Sequence, residues 1–430
     1  MSDDCKDAEG TTPRTGDDCM DAGGRATHGA VAEVELRLEQ QSRAMHGAIA
    51  DSFIRYVREI YRTDKLIPLH EPRFQGREKE YLLDAIDSTF VSSVGQYVDR
   101  FEADCAGYTG AKYAVATVNG TAALHLALIL AGVKRDEEVI TQALTFVATC
   151  NAIHYCGAEP VFVDVDKATL GLSAQALEDY LDEFAEHRNG ETWNNRTGKR
   201  IAACLPMHTF GHPADMHKIV QICEKYHIPV VEDAAEALGS TLNKQHCGTF
   251  GRLGVLSFNG NKIMTTGGGG MILTDDETLA KQAKHLSTTA KQPHPWCVAH
   301  DQVGFNYRLP NLNAALGVAQ LEYVPLFLAK KRELAARYIE WSQQNRFQCV
   351  IEPETAQSNY WLNAVVLENL SERDAFLKAT NEHGVMTRPL WEPMHRLPMY
   401  RHCQKGSLVI TEWAADRVVN IPSSVIADAD

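Results

Sequence analysis

The chain reads as an α/β protein, a mostly parallel sheet with helices on both faces, followed by a smaller C-terminal α+β domain. Three observations predict this. Short β-branched runs alternate with helical stretches from about Leu66 to Thr289. The 430 residues are 44% hydrophobic, enough for a large core. A long helical pattern begins near Asn311 and leads into further strands.

Taken in order, residues 1–30 are rich in Asp, Gly and Thr with few large apolar groups, which predicts a disordered acidic tail. Residues 31–66 read as an N-terminal helical segment, because Ile49, Phe53, Val57 or Tyr56, and Ile60 recur at helical spacing ahead of Pro68. A large domain spans 67–310, with candidate strands at 113–118, 138–141, 160–165, 200–205, 229–232, 254–258 and 271–274. Helices are expected over 121–131 and 213–226. In the second, Met216, Ile219, Val220 and Cys223 share a face and Pro213 suits the first turn. Residues 187–199 break the alternation and read as a surface insertion. The smaller domain, 311–430, opens with a helix carrying Leu334, Tyr338 and Trp341 on one side. Strands near 349–351 and 360–367 and a helix near 372–383 follow.

Composition excludes some functions. A net charge of −14 and a pI near 5.7 leave no basic surplus to displace counterions from nucleic acid. Eleven cysteines, an odd number with no C-x-x-C pair, and the acidic start Met1-Ser2-Asp3-Asp4 fit a reducing cytoplasm. The longest apolar region, 113–133, is broken by Asn119, Gly120, Thr121 and His125, so no membrane span is expected.

The chemistry concentrates at a few strand ends. Asp233 ends the run Ile228-Pro229-Val230-Val231-Glu232, where ligands of open α/β sheets bind; a helix cap is the plainer account. Lys262 lies 29 residues on, preceded by Ser257 and trailed by Gly267 to Gly270. A carboxylate and an amine in this order suit pyridoxal phosphate (PLP), which needs a lysine for its Schiff base and an acid against its pyridine nitrogen. Asn119-Gly120-Thr121-Ala122 falls between a strand and an apolar helix, so the amides of Gly120, Thr121 and Ala122 would suit a phosphate, or merely be capped. Phe146 after another strand is placed to stack on a ring, though buried aromatics are usually core. The glycine run reads as a tight turn. His208 and His212 have metal-like spacing, but Gly211 and Pro213 break a helix there and no third ligand is near, so no metal site is expected.

These segments resemble the DegT/StrS family of nucleotide-sugar aminotransferases, of PLP fold type I (aspartate aminotransferase-like). The likeness rests on Gly-Thr-Ala-Ala-Leu-His from Gly120, Thr-Phe-Val-Ala-Thr from Thr145, Pro-Val-Phe-Val-Asp-Val from Pro160, Glu-Asp-Ala-Ala from Glu232, the Ser257-to-Lys262 spacing and Gly-Phe-Asn-Tyr-Arg from Gly304. It implies a seven-stranded, mostly parallel sheet, with Lys262 the Schiff-base lysine, Asp233 the pyridine partner and Phe146 the stacking aromatic. Gly120, Thr121, Ala122 and Ser257 would contact the phosphate, and Asn306 would reach the phosphate of a neighbouring subunit, which requires a homodimer. The stretches 67–72, 90–95 and 387–395 resemble the branch serving legionaminic acid and diacetylbacillosamine synthesis. That likeness implies amination of C4 of a nucleotide-linked 4-keto-6-deoxy-N-acetylhexosamine by glutamate, with Arg388, Trp391 and His395 near the sugar. The carrier, UDP, GDP or CMP, stays open.

Two positions depart from the wider family's pattern. Glu236 stands where His or Gln is common beside the cofactor's phenolic oxygen, and like charges there would disfavour joint ionisation with Asp233. Gly268 replaces a glutamate of the lysine loop. The competing readings are a PLP-dependent sugar dehydratase, whose relatives carry histidine in place of Lys262, and a non-catalytic PLP-binding regulator.

Overall fold

The computed structural model describes residues 49–345 and 348–426. The tail expected over 1–30, and residues 31–48 of the expected helical segment, lie outside the described residues.

The central strands are β1 (Tyr113–Thr117), β2 (Glu138–Gln142), β3 (Glu159–Val163), β4 (Ile201–Leu205), β5 (Val231–Asp233), β6 (Leu253–Ser257) and β7 (Gly270–Thr274). Every residue of β2, β4 and β7 is buried, and apart from Glu138 and Gln142 at the ends of β2 their sequences run apolar or β-branched rather than alternating. Four strands pair in the order β1-β7-β6-β5 and three in the order β3-β2-β4. Parallel bridges Cys204–Val230 and Met207–Asp233 join the two pieces. β7 is antiparallel to both neighbours, with Met271 opposite Ala116 and Leu256, whereas β5 and β6 are parallel, with Asp233 opposite Val255. That register brings the C-terminal ends of β5 and β6 together.

One local expectation needs correction. The helix Met216–Lys225 is capped by Asp215, whose side chain accepts from the Lys218 N–H, so Pro213 lies ahead of the cap rather than in the first turn. The surface insertion expected over 187–199 is largely exposed and is built on a hairpin, Ala185–Arg188 paired with Glu191–Asn194. Asn194 in it is fully buried and donates to Glu138 Oε2 at 2.7 Å, which anchors the hairpin to β2.

The helix Asn311–Gln344 is long and apolar enough by composition to cross a membrane, and it contains Pro325. In the fold it is a core helix. Its first half, with Ala314, Val318 and Ala319, packs in the same cluster as Phe101 and Phe258 of the sheet domain. Its second half, with Leu334 and Tyr338, packs with Phe53, Val57 and Ile60 of the helical residues 49–61 and with Val419 and Ile421. A boundary at residue 311 would therefore separate the helix's first half from the core it fills. The C-terminal sheet is antiparallel, in the order Gln348–Cys349, Asn363–Val366, Val418–Ile421, Arg388–Pro389.

One buried carboxylate ties the sheet to the loop that feeds β6. Glu232 Oε1 accepts the N–H groups of Phe250 and Gly251 at 2.6 and 2.7 Å. Its Oε2 accepts the Gly248 N–H at 2.8 Å and faces His208 Nε2 at 3.1 Å. An amide in this position would set one N–H group against backbone donors. Glu232→Gln is expected to lower stability by about 2–3 kcal/mol, read as a drop in the urea midpoint.

Candidate active site

A cavity of 340 Å³ opens where β5 and β6 end and where the helix Gly120–Leu130 begins after β1. Eight of the expected residues line it: Gly120, Thr121, Phe146, Asp233, Glu236, Ser257, Lys262 and Trp391. A larger cleft of 580 Å³, reached by Asp166, Asp215 and Lys218, contains none of the expected site residues.

Asp233 is 3% exposed. Its Oδ2 accepts from Thr149 Oγ1 at 2.7 Å and its Oδ1 from the Ala235 N–H at 3.2 Å. No helix starts after it, so it is not a helix cap. Burial pushes its carboxyl above the ordinary value, against the hydrogen bonds from Thr149 and Ala235. A cationic or N–H group placed against it would relieve that cost.

Lys262 Nζ donates to Glu236 Oε1 at 3.2 Å and lies 3.9 Å from the centroid of the Trp361 ring. Its side chain is 12% exposed, so it is not a solvated surface lysine. Glu236 Oε2 accepts the Phe210 N–H at 2.9 Å. Burial pushes the Glu236 carboxyl up to about 7, while Lys262 and the Phe210 amide pull it down and Asp233 adds a smaller push. The expectation that like charge controls this residue is thus corrected: desolvation is the larger cause.

Phe146 is 48% exposed and turned to the cavity, not packed in the core. Its ring centroid lies 6.3 Å from that of Trp391, which lies 5.2 Å from Phe210. At the helix end, Asn119 Oδ1 accepts the Ala122 N–H at 2.8 Å. The amide of Ala122 is therefore spent on the cap, contrary to what the resemblance implies, leaving those of Gly120 and Thr121 without intrahelical acceptors. A Cβ at position 120 would come 2.9 Å from Ser257 Cβ, so glycine is what lets Ser257 approach the helix terminus. The glycine run does turn the chain before β7, with Gly267 at φ +78°.

Besides Ala122, three expected residues do not line this cavity. Asn306 is exposed and its Oδ1 accepts from Arg308 Nε. Arg388 sits on an edge strand and donates to Asn381 Oδ1 and the Thr387 carbonyl. His395 is held at 2.7 Å by Glu412. Sequence reasoning missed Asn119, Thr149 and Trp361. Thr149 stood in plain view three residues after Phe146, but nothing local marks Trp361, which arrives from the C-terminal third of the chain.

Residues 72–429 match the model of the DegT/DnrJ/EryC1/StrS aminotransferase family. The chain belongs to that family. It is 37% identical over 362 residues to GDP-perosamine synthase of Escherichia coli O157:H7, covering 84% of this chain and 93% of the relative. The crystal structure of the aminotransferase TlmJ from Streptoalloteichus hindustanus is similar with a TM-score of 0.76 at 30% identity, covering 83% of this chain and 93% of that one. S. venezuelae DesV, solved in complex with a ketimine intermediate, has a TM-score of 0.72 at 26% identity, with 81% and 89% covered.

This DegT-family protein is a PLP-dependent aminotransferase. The cavity has the donor set such a cofactor needs: an amine at one side, a buried carboxylate with spare acceptor capacity, and a helix N-terminus with free amides.

Glu236 makes the apoprotein pH-sensitive. Its folded pKa, about 7, lies above its ordinary 4.5, so the folded state binds the extra proton between those values. The stabilisation is complete below pH 4.5 and is lost as pH rises to about 7. Glu236→Gln should flatten the stability profile over that window, removing a slope worth on the order of 3 kcal/mol. Urea midpoints of both apoproteins from pH 4.5 to 8 check it; parallel profiles would refute it.

Proposed function

We propose that the protein aminates C4 of a nucleotide-linked 4-keto-6-deoxy sugar, taking the amino group from glutamate, as a cytoplasmic homodimer that serves bacterial surface-sugar synthesis. The observation carrying this reading is one cavity lined by the amine of Lys262, the buried carboxylate of Asp233 and the rings of Phe146 and Trp391.

When bound, PLP supplies an electron sink for the carbon that loses a proton. Lys262 would hold it covalently and, once released, would carry a proton between the substrate carbon and the cofactor. Its neighbour Glu236, 3.2 Å from Nζ, would exchange that proton. Asp233, whose carboxylate accepts from Thr149, would keep the pyridine nitrogen protonated. Phe146 would stack on the ring, the Gly120 and Thr121 amides and the Ser257 hydroxyl would hold the phosphate, and Asn306 would reach the site of a partner. Arg388 and His395, off the cavity of the single chain, are assigned to the sugar nucleotide.

An N-acetylated acceptor follows from the resemblance to the legionaminic acid and diacetylbacillosamine branch. The E. coli relative is named for a GDP-linked product, so the carrier is the first variable to test.

Purified protein should absorb visible light, and glutamate should bleach that band. A panel of UDP-, GDP- and CMP-linked 4-keto sugars, with and without the N-acetyl group, should yield amino sugar for one carrier only when glutamate is present. Lys262→Ala should lower kcat at least about 10³-fold and Asp233→Asn about 10²-fold. Full turnover by Lys262→Ala, or a deoxy-sugar product in place of an amino sugar, would overturn the reading.

A further inference from the structure

Behind the cavity wall lies a second buried lysine that the proposed chemistry does not use. Lys331, on the helix Asn311–Gln344, is 0% exposed and has no carboxylate partner among the described residues. Its Nζ donates to two backbone carbonyls, those of Trp361 at 3.0 Å and Ser423 at 2.5 Å. Burying an ammonium with only neutral acceptors is costly, and a methionine would fill the same space without that cost. Stability alone therefore does not account for a lysine here.

What the two carbonyls control is specific. Trp361 faces Lys262 Nζ at 3.9 Å, and its Nε1 donates to the Asn261 carbonyl at 2.6 Å, so one indole touches both the lysine's amine and the backbone just before it. The Trp361 N–H is held by Asn359 Oδ1 at 2.7 Å, and Lys331 takes the carbonyl of the same residue. Both backbone polar groups of Trp361 are thus fixed. Ser423 extends the same clamp: its N–H donates to the Leu69 carbonyl at 2.7 Å and its hydroxyl accepts from the Asn363 N–H at 2.8 Å. The segment before residue 72, the strand at Asn363–Val366 and the chain beyond β-strand Val418–Ile421 meet at this one ammonium.

We propose that Lys331 is a positioning residue for the amine of Lys262, acting by gripping the Trp361 carbonyl so that the indole is held against the lysine and its loop. The proposal rests on the reading of Lys262 given above. Burial pushes the Lys331 ammonium down to about 7. The neutral amine still carries two N–H groups for two carbonyls, so the grip does not depend on which form is present.

The test is a double-mutant cycle on PLP-loaded enzyme, using Lys331→Met, Trp361→Phe and the pair, with cofactor occupancy and far-UV circular dichroism matched to wild type. Lys331→Met should lower kcat at least tenfold with KM for both substrates within twofold. The pair should be no slower than the slower single variant, because both remove the same restraint. Lys331→Gln, which keeps two N–H donors, should restore kcat to at least a third of wild type. Should Lys331→Met not fold, the cycle is scored with Lys331→Ala in its place. Multiplicative losses, a wild-type kcat in the lysine variant, or a loss carried by KM would overturn the proposal. An inactive Lys262→Ala beside a wild-type Lys331→Met would sink only this inference, whereas an active Lys262→Ala would sink the reading beneath it.

Discussion

The site depends on a carboxylate that the fold buries without an ion partner of its own. Asp233 ends β5 at 3% exposure, with a threonine hydroxyl and one amide as its donors. Two neutral donors fall short of the lone pairs an ionised carboxylate offers, and its raised pKa registers the deficit. Such a group is tolerable in a folded protein when a ligand completes its partners. The surroundings are built to hold it in place. The bridge to Met207, the Glu232 clamp on residues 248–251 and the pairing to β6 fix the strand end from three directions.

Across the cavity the design is different. Lys262 is restrained by soft contacts, a carboxyl whose proton is labile near neutrality and the face of an indole. In its proposed role Lys262 holds a cofactor and then moves a proton, which requires more freedom than Asp233 has. Rigidity is placed one layer back instead. The indole is pinned by Asn359, Asn261 and Lys331, and the Glu236 backbone carbonyl accepts from the same Asn359 side chain. Asn359 therefore couples the two walls that flank the amine.

Much of this was legible in the chain. All seven central strands stand within two residues of where the apolar runs place them, because strands buried on both faces must be continuously apolar. Asp233, Lys262, Ser257 and the Gly120 helix start were found because each sits at a strand end, where local sequence and site coincide. Other positions were less legible. For the Ala122 amide the sequence left phosphate binding and capping both open, and an asparagine at 119 is a strong N-cap that takes it. Trp361 and Lys331 were invisible because their partners lie 100 and 30 residues away, a separation that no periodicity encodes.

The two lysines illustrate how one residue type serves opposite ends. Lys262 keeps a sliver of exposure and a carboxyl at 3.2 Å. Lys331 has no exposure, and its two acceptors are carbonyls that do not titrate. Loss of its proton would alter the charge behind the wall but leave both contacts in place. An arginine could not do this, since it stays charged and its planar fork does not match two carbonyls converging on one atom. The buried lysine is the side chain whose single nitrogen holds the wall through both carbonyls.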